Sequence, residues 1–432
     1  MNILELKQKL LSSKLFKDSF WAVFGNGVGN CLLLIAGIII ARLLGKDLYG
    51  EYGMVKTTMF HIASFSTLGL GFTSTKFIAD AVQNHPNRIK SIIKSSLGAT
   101  LLFSVFLCVL LIISAERLAF YIEEPSTAPA FRALGLIVVF RALNTVSAGV
   151  LAGFKSFKRI GINSIISGSV LLVLSSFLTY KYGIVGSFIA LALSQFVNAA
   201  LNMSSVLAHF FSAIGDEEIA KEVIRFTLPV AIQEFSYMLC IWGGTLLLTK
   251  YASLGDVGLW SAASQWNAII LFIPQLLSNV ILSYLSGLSK HREMHSNVMR
   301  KMLLINFICS FLPFIIIYLL AGFITSFYGP TFIDLKYILR VLTLSTIFMC
   351  LSNVYQSDLL SKGKNWLLLT LRVIRDMLML FLLWLVLRNG VISAALAYSW
   401  IYVIIYFIYY ILMIITQKSI NRREIISIES RY

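Results

Sequence analysis

Charge is scarce in this chain of 432 residues. Asp, Glu, Lys and Arg together make up 13% of it, against about a quarter in a soluble domain. Acids are rarer still, 20 against 36 Lys and Arg, for a net charge of +16. Cysteine is thin as well. Cys31, Cys108, Cys240, Cys309 and Cys350 lie singly in five different apolar stretches, with no Cys-x-x-Cys pair and no neighbouring metal ligand, and read as small core residues. No Walker A sequence is present, which removes ATP hydrolysis as the chain's own energy source. Nor is there a His-Glu-x-x-His, a Gly-x-Ser-x-Gly or a Cys/His cluster, so a membrane hydrolase or sugar polymerase has little to work with. The expectation is a non-enzyme without cofactor or metal.

Apolar residues fill the space, at 58% of the chain and a mean hydropathy of +0.82. A helix needs about 20 mostly apolar residues to cross a hydrocarbon core. Twelve such runs are separated by short polar segments: Phe20–Ala41, Met54–Phe77, Ser96–Ser114, Ala128–Leu151, Ile162–Tyr180, Ile184–Val206, Phe226–Leu248, Leu259–Tyr284, Met302–Phe323, Tyr337–Leu360, Trp366–Leu387 and Val391–Ile415. Their length excludes the alternating strands of a membrane barrel. The first run lacks a small-residue cleavage pattern and is expected to stay as an anchor rather than leave as a signal peptide. Ahead of it, Ile3, Leu6, Leu10 and Phe16 recur at near-helical spacing among Lys7, Lys9, Lys14 and Lys17. That spacing suits an amphipathic leader on an anionic leaflet, with a solvated leader as the alternative.

The basic residues alternate loop by loop. With the N-terminus in the cytoplasm, the cytoplasmic segments collect 22 Lys and Arg, from Lys7 to Arg431, and the opposite loops seven. This positive-inside asymmetry accounts for the net charge without a nucleic-acid partner and puts both termini in the cytoplasm. The acidic central loop with Asp216, Glu217, Glu218 and Glu222 argues against it only weakly, because acids contribute little to orientation.

The chain also repeats itself. Residues 132–136, Arg-Ala-Leu-Gly-Leu, align with 340–344, Arg-Val-Leu-Thr-Leu, at an offset of 208, and so do 49–52 with 257–260. Residues 183–190 and 390–397 align at 207, each a glycine turn opening the last helix of its half. Six crossings per copy make the repeats parallel, related by an axis along the membrane normal, an arrangement that favours alternating access. The expected fold is an all-α polytopic membrane protein, twelve transmembrane helices as two pseudo-symmetric six-helix bundles around a central cavity. Residues 1–212 form one bundle with the leader, and 213–432 the other with a short basic tail.

An ionisable residue at the bilayer centre costs about 2.5–3.5 kcal/mol on insertion scales, so an unpaired set implies an aqueous cavity. The set is mostly cationic: Lys56 and His61, Arg132 and Arg141, Arg340, Arg372 and Arg375, against Glu234 and Asp376 as intramembrane acids. Arg372 and Asp376 stand one helical turn apart and are expected to pair, leaving Arg375 without a local partner. Arg132 and Arg340 sit near helix ends, where snorkelling competes with ligand contact. Several guanidinium and ammonium groups in one cavity suit a pyrophosphate. Asn26, Asn30, Gln233, Gln265 and Asn267 either hydrogen-bond sugar hydroxyls or join helices to one another. The glycines of 24–30, Phe-Gly-Asn-Gly-Val-Gly-Asn, lack the strand and the Lys-Ser/Thr of a phosphate loop and read as a Gly-x-x-x-Gly packing face. Tyr398, Tyr402, Tyr406 and Tyr410 form one aromatic stripe for packing, lipid or a partner helix.

Residues 41–53, Ala-Arg-Leu-Leu-Gly-Lys-Asp-Leu-Tyr-Gly-Glu-Tyr-Gly, followed by Leu-Gly-Leu-Gly-Phe at 68–72, resemble the polysaccharide flippases of the Wzx type. Leu-Ala-Gly-Phe-Lys at 151–155 and Tyr-Gly-Ile-Val-Gly at 182–186 extend the resemblance along the whole chain. It implies a bacterial inner-membrane protein of surface polysaccharide biosynthesis, moving undecaprenyl-diphosphate-linked oligosaccharide from the cytoplasmic to the periplasmic leaflet. The substrate-binding candidates are then Arg141, Arg375, Lys56, Arg372, Arg132, Arg340, Asn26, Asn30 and Gln265. Glu234 is the candidate carrier of a coupling H+ or Na+, or else a buried acid held by a neighbouring helix. Membrane lipids and polysaccharide polymerase machinery are the further partners implied. The alternative is an ion-coupled multidrug or metabolite antiporter of the same superfamily, whose cationic substrates would call for an acidic cavity.

Overall fold

The computed structural model describes residues 14–121, 128–213, 223, 238–287, 292–390 and 393–429. All regular structure among them is helical: α1 Lys14–Ser66, α2 Leu70–Asn84, α3 Ile89–Tyr121, α4 Ala128–Gly153, α5 Phe157–Ser212, α6 at 238–251, α7 Leu254–Gly287, α8 Arg292–Tyr328, α9 Leu335–Ser361, α10 Asn365–Arg388 and α11 Ala394–Glu429. Short 3-10 turns at Pro86–Arg88 and Pro330–Phe332 precede α3 and α9. The leader as far as Ser13, with Gln233 and Glu234, lies outside the described residues.

Seven helical stretches among the described residues are long and apolar enough to cross a membrane. Two of them, Val23–Ser66 with 44 residues and Phe157–Phe211 with 55, are about twice the length one crossing needs. Each bends at one glycine, α1 at Gly45 (φ 74, ψ 170) and α5 at Gly183 (φ 58, ψ −138). These conformations are closed to a residue with a Cβ, so glycine is what lets one helix turn into the next with a single non-helical residue between them. The second crossing is broken again between α1 and α2, where Leu68 and Gly69 take φ of 50 and 77. The expected run Phe226–Leu248 is described only in its second half, by α6; the other eleven runs fall on helices, Met54–Phe77 across this break and Val391–Ile415 from Ala394 onward.

The chain divides into two compact units: Met1–Leu44 with Leu48–Trp242, and Gly45–Asp47 with Gly243–Tyr432. Within the first, α4 is central and packs on α2, α3 and α5; within the second, α9 is central and packs on α7, α8 and α11. Small residues set the closest approaches. A Cβ on Gly25 would fall 2.4 Å from the Gly161 Cα, and one on Gly29 would fall 3.0 Å from the Ser164 Cβ, so the Gly-x-x-x-Gly face of α1 lies directly on α5. A Cβ on Gly149 of α4 would fall 2.1 Å from the carbonyl oxygen of Gly71 on α2.

The repeat read from the sequence reaches the backbone. At the end of α4, Lys155 N donates to Ala152 O at 2.9 Å and Ser156 N to Leu151 O at 2.9 Å; at the end of α9, Gly363 N donates to Leu360 O at 3.0 Å and Lys364 N to Leu359 O at 2.9 Å. Both hydrogen bonds of one turn have their counterparts 208 residues on, and so does its left-handed residue, Lys155 (φ 59) and Gly363 (φ 69). This is a Schellman-type stop. A Cβ on Gly363 meets nothing within 4 Å, so Gly363→Ala carries only the backbone cost. It should destabilise by about 1–2 kcal/mol, read as a lower thermal midpoint with unchanged transport.

Candidate functional site

In the first unit, one aromatic ring collects two of the expected cations. The Arg141 Cζ of α4 lies 4.5 Å from the Phe60 centroid, and the Lys56 Nζ, one turn before Phe60 on α1, lies 5.8 Å from it. Lys56 also lies 5.7 Å from the ring of Tyr52, which is itself fixed between Tyr49 at 5.9 Å and Phe188 at 5.5 Å. Among the described residues no carboxylate pairs with either cation. The ring faces offset some of the desolvation of each charge. They do not offset the repulsion between two like charges in a medium of low dielectric.

Asn26 and Asn30 lie on the same helix. The Asn26 Oδ1 accepts a hydrogen bond from Ser164 Oγ of α5 at 3.3 Å, and Asn30 is half-buried one turn on. Arg132 lies in α4.

The second unit handles its cations differently. The sequence pairs Arg372 with Asp376; the structure gives Asp376 to Arg375 instead. Arg375 Nε and Nη2 both reach the Asp376 Oδ1 at 2.7 Å, with the guanidinium 5.0 and 4.8 Å from the rings of Tyr406 and Tyr409 on α11. Arg372 turns across to α9 and donates to Gln356 Oε1 through Nε at 2.9 Å and through Nη2. A neutral acceptor on the facing helix and two tyrosines around Arg375 decide the pairing, and neither is visible from spacing along α10. Arg340 donates to the Tyr318 carbonyl at 3.3 Å and lies 5.1 Å from its ring. Gln265 is half-buried on α7, and Asn267 donates to Ser345 Oγ at 3.4 Å. The tyrosine stripe packs inside the unit: Tyr398 stacks on Trp260 at 3.9 Å, Tyr402 follows, and Tyr410 meets Phe348 and Tyr355.

Two polar clusters escape sequence reasoning. Asn144, Asn163, Asn198 and Asn202 join α4 to both halves of α5, with Asn163 donating to Asn202 at 2.7 Å and Asn202 to Asn144 at 2.6 Å and Asn198 at 3.2 Å. In the second unit the fully buried Asp358 of α9 gathers Lys362 Nζ at 3.2 Å, Gln417 Nε2 of α11 at 3.0 Å and His295 Nε2 of α8. The histidine nitrogen lies 3.0 Å from Oδ1 but off the hydrogen-bonding direction. Asp358 precedes Lys362 by four residues, which was the one signal available.

The family described as polysaccharide biosynthesis protein matches residues 15–286. A Shigella flexneri protein named "Putative O-antigen transporter" is 23% identical over 402 residues, covering 89% of this chain and 94% of that one. The succinoglycan biosynthesis transport protein ExoT of Rhizobium meliloti (strain 1021) is 23% identical over 255 residues, 58% of this chain and 49% of its own length. Among solved structures, an inward-facing multidrug resistance MATE family transporter of the MOP superfamily superposes with a TM-score of 0.78 at 15% identity, covering 91% of this chain and 96% of that one. A MOP superfamily transporter from Pyrococcus furiosus superposes at 0.68 with 16% identity, covering 93% and 94%. At such identities the likeness is one of fold.

Proposed function

This chain belongs to the polysaccharide biosynthesis protein family, and we propose that it serves there as a flippase. It carries diphosphate-linked oligosaccharide, built on undecaprenyl, from the cytoplasmic to the periplasmic leaflet of the bacterial inner membrane. The observation that carries this reading is the Lys56 and Arg141 pair on the Phe60 ring, two cations with no acid beside them among the described residues. A diphosphate supplies the absent charge. Arg141 offers its oxygens paired N–H donors, and Lys56 a compact point charge. An antiporter for cationic drugs would need the opposite sign at this place.

The remaining candidates stand behind that pair. Arg375 and Arg372, already held by Asp376 and Gln356, would meet the headgroup only after exchanging those partners, and Arg132 and Arg340 would act at helix ends. Asn26, Asn30 and Gln265 would read sugar hydroxyls. The parallel repeat, with halves at 1–212 and 213–432, supports alternating access driven by H+ or Na+, with Glu234 as the candidate carrier. Both termini face the cytoplasm, and the polymerase machinery that consumes the product lies on the far side.

Deleting the gene should abolish surface polysaccharide and leave lipid-linked oligosaccharide accumulated on the cytoplasmic leaflet. Normal surface polysaccharide without such accumulation would contradict the reading.

A further inference from the structure

Phe60 differs from the other rings of the first unit. Tyr52 packs between Tyr49 and Phe188, Phe65 on Phe103 and Phe140 on Phe196. Phe60 makes no ring-to-ring contact among the described residues. Its partners are the Arg141 Cζ at 4.5 Å and the Lys56 Nζ at 5.8 Å, one brought by α4 and the other by the preceding turn of α1.

A ring face attracts a cation through its quadrupole without neutralising it. A carboxylate in the same place would hold these groups more strongly, but it would cancel a charge and occupy N–H donors. The second unit shows that alternative: Arg375 also has two rings beside it, yet its Nε and Nη2 are both taken by Asp376. Neither Lys56 nor Arg141 has a side-chain hydrogen bond or an ion pair among the described residues. Their donors stay available to a ligand.

The repeat separates this device from the packing of the bundle. At the offset of 208 that aligns the two halves, Lys56, Phe60 and Arg141 correspond to Ser264, Ala268 and Met349. The second unit therefore forms its equivalent helices, α7 and α9, without a cation or a ring at any of the three places. The trio is not something this helix arrangement demands.

We propose that Phe60 is the positioning residue of the anion site: its ring gathers Lys56 and Arg141 into one place and leaves both charged for a diphosphate to bridge. This rests on the flippase reading above. Phe60 acts through the two cations, holding them ready for the headgroup instead of letting them move apart under their mutual repulsion.

Ring fluorination separates this role from packing, because each fluorine drains negative charge from the ring face while adding little volume. Phenylalanine bearing one, two and three ring fluorines at position 60 should raise KM for the diphosphate-linked oligosaccharide stepwise, by about 3- to 30-fold at three fluorines, with thermal midpoints unchanged. The same series at Phe140, which precedes Arg141 and packs on Phe196, should leave KM as it is; an equal shift there would overturn the proposal. Phe60→Leu, apolar but without a ring, should match or exceed the effect of three fluorines. If the leucine or the trifluorinated protein does not fold, the slope across one and two fluorines decides. A constant KM along the Phe60 series, in protein that moves the diphosphate lipid, overturns the positioning role and leaves the flippase standing. If the native protein moves no diphosphate lipid, the flippase reading falls, and calorimetry with inorganic pyrophosphate decides for Phe60. Binding that weakens with each fluorine then supports its role, and absent or constant binding overturns it.

Discussion

Arg141→Ala should lower transport by about 10- to 100-fold while folded protein stays in the membrane. The estimate follows from losing one charge-assisted contact to phosphate, about 1.5–3 kcal/mol. Arg141→Lys keeps the charge and loses the paired donors, so it should fall between native and alanine. Lys56→Ala removes the more distant of the two cations on Phe60 and should cost less than Arg141→Ala. Because both cations act on one anion, the double variant should lose less than the sum of the two single losses on a logarithmic scale. Initial transport rates at matched protein density measure all four variants. Native rates in both single variants would remove Lys56 and Arg141 from the site.

Asp358→Ala should be the most destabilising of the polar substitutions, by about 3–5 kcal/mol, because a buried ion pair broken from one side leaves the other charge uncompensated. The Asp358 carboxylate is 0% exposed and is the shared partner of Lys362 and Gln417. It also ties α9 to α11 through Gln417, with His295 of α8 beside it. Asp358→Asn keeps an acceptor for Gln417 and should cost less. Thermal midpoints of purified protein in nanodiscs check the order native, Asn, Ala. A native midpoint for Asp358→Ala would mean that apolar packing alone holds these three helix ends.

The crossings were legible because their signal is long and local. Twenty apolar residues can be counted without knowing what they touch, and glycine at 183 and 390 marks the sharp turns by its own chemistry. What could not be read is how short the breaks at Gly45 and Gly183 are: polar neighbours such as Lys46, Asp47 and Lys181 look like loop punctuation, yet a single non-helical glycine joins one helix to the next.

Legibility of the candidate site ends where contacts between helices begin. Arg141 stands out by charge, but Phe60, the ring that joins it to Lys56, is one aromatic residue in an apolar run and carries no signal of its own. Spacing along α10 favoured Asp376 for Arg372; Gln356 on α9 and the tyrosines on α11 chose otherwise. Asp358 sits near a helix end beside Ser361 and Lys362, where the sequence gives no sign that its carboxylate is fully buried. Asn144, Asn163, Asn198 and Asn202 are neutral and dispersed along the chain, and only folding assembles them.

The most direct test of the account is protein-dependent appearance of an oligosaccharide on the far leaflet of sealed proteoliposomes, comparing one glycan on a diphosphate lipid with the same glycan on an uncharged lipid. The account predicts that only the diphosphate form moves, and that Arg141→Ala slows it. Equal movement of both forms, or movement of neither alongside export of small organic cations, would contradict it.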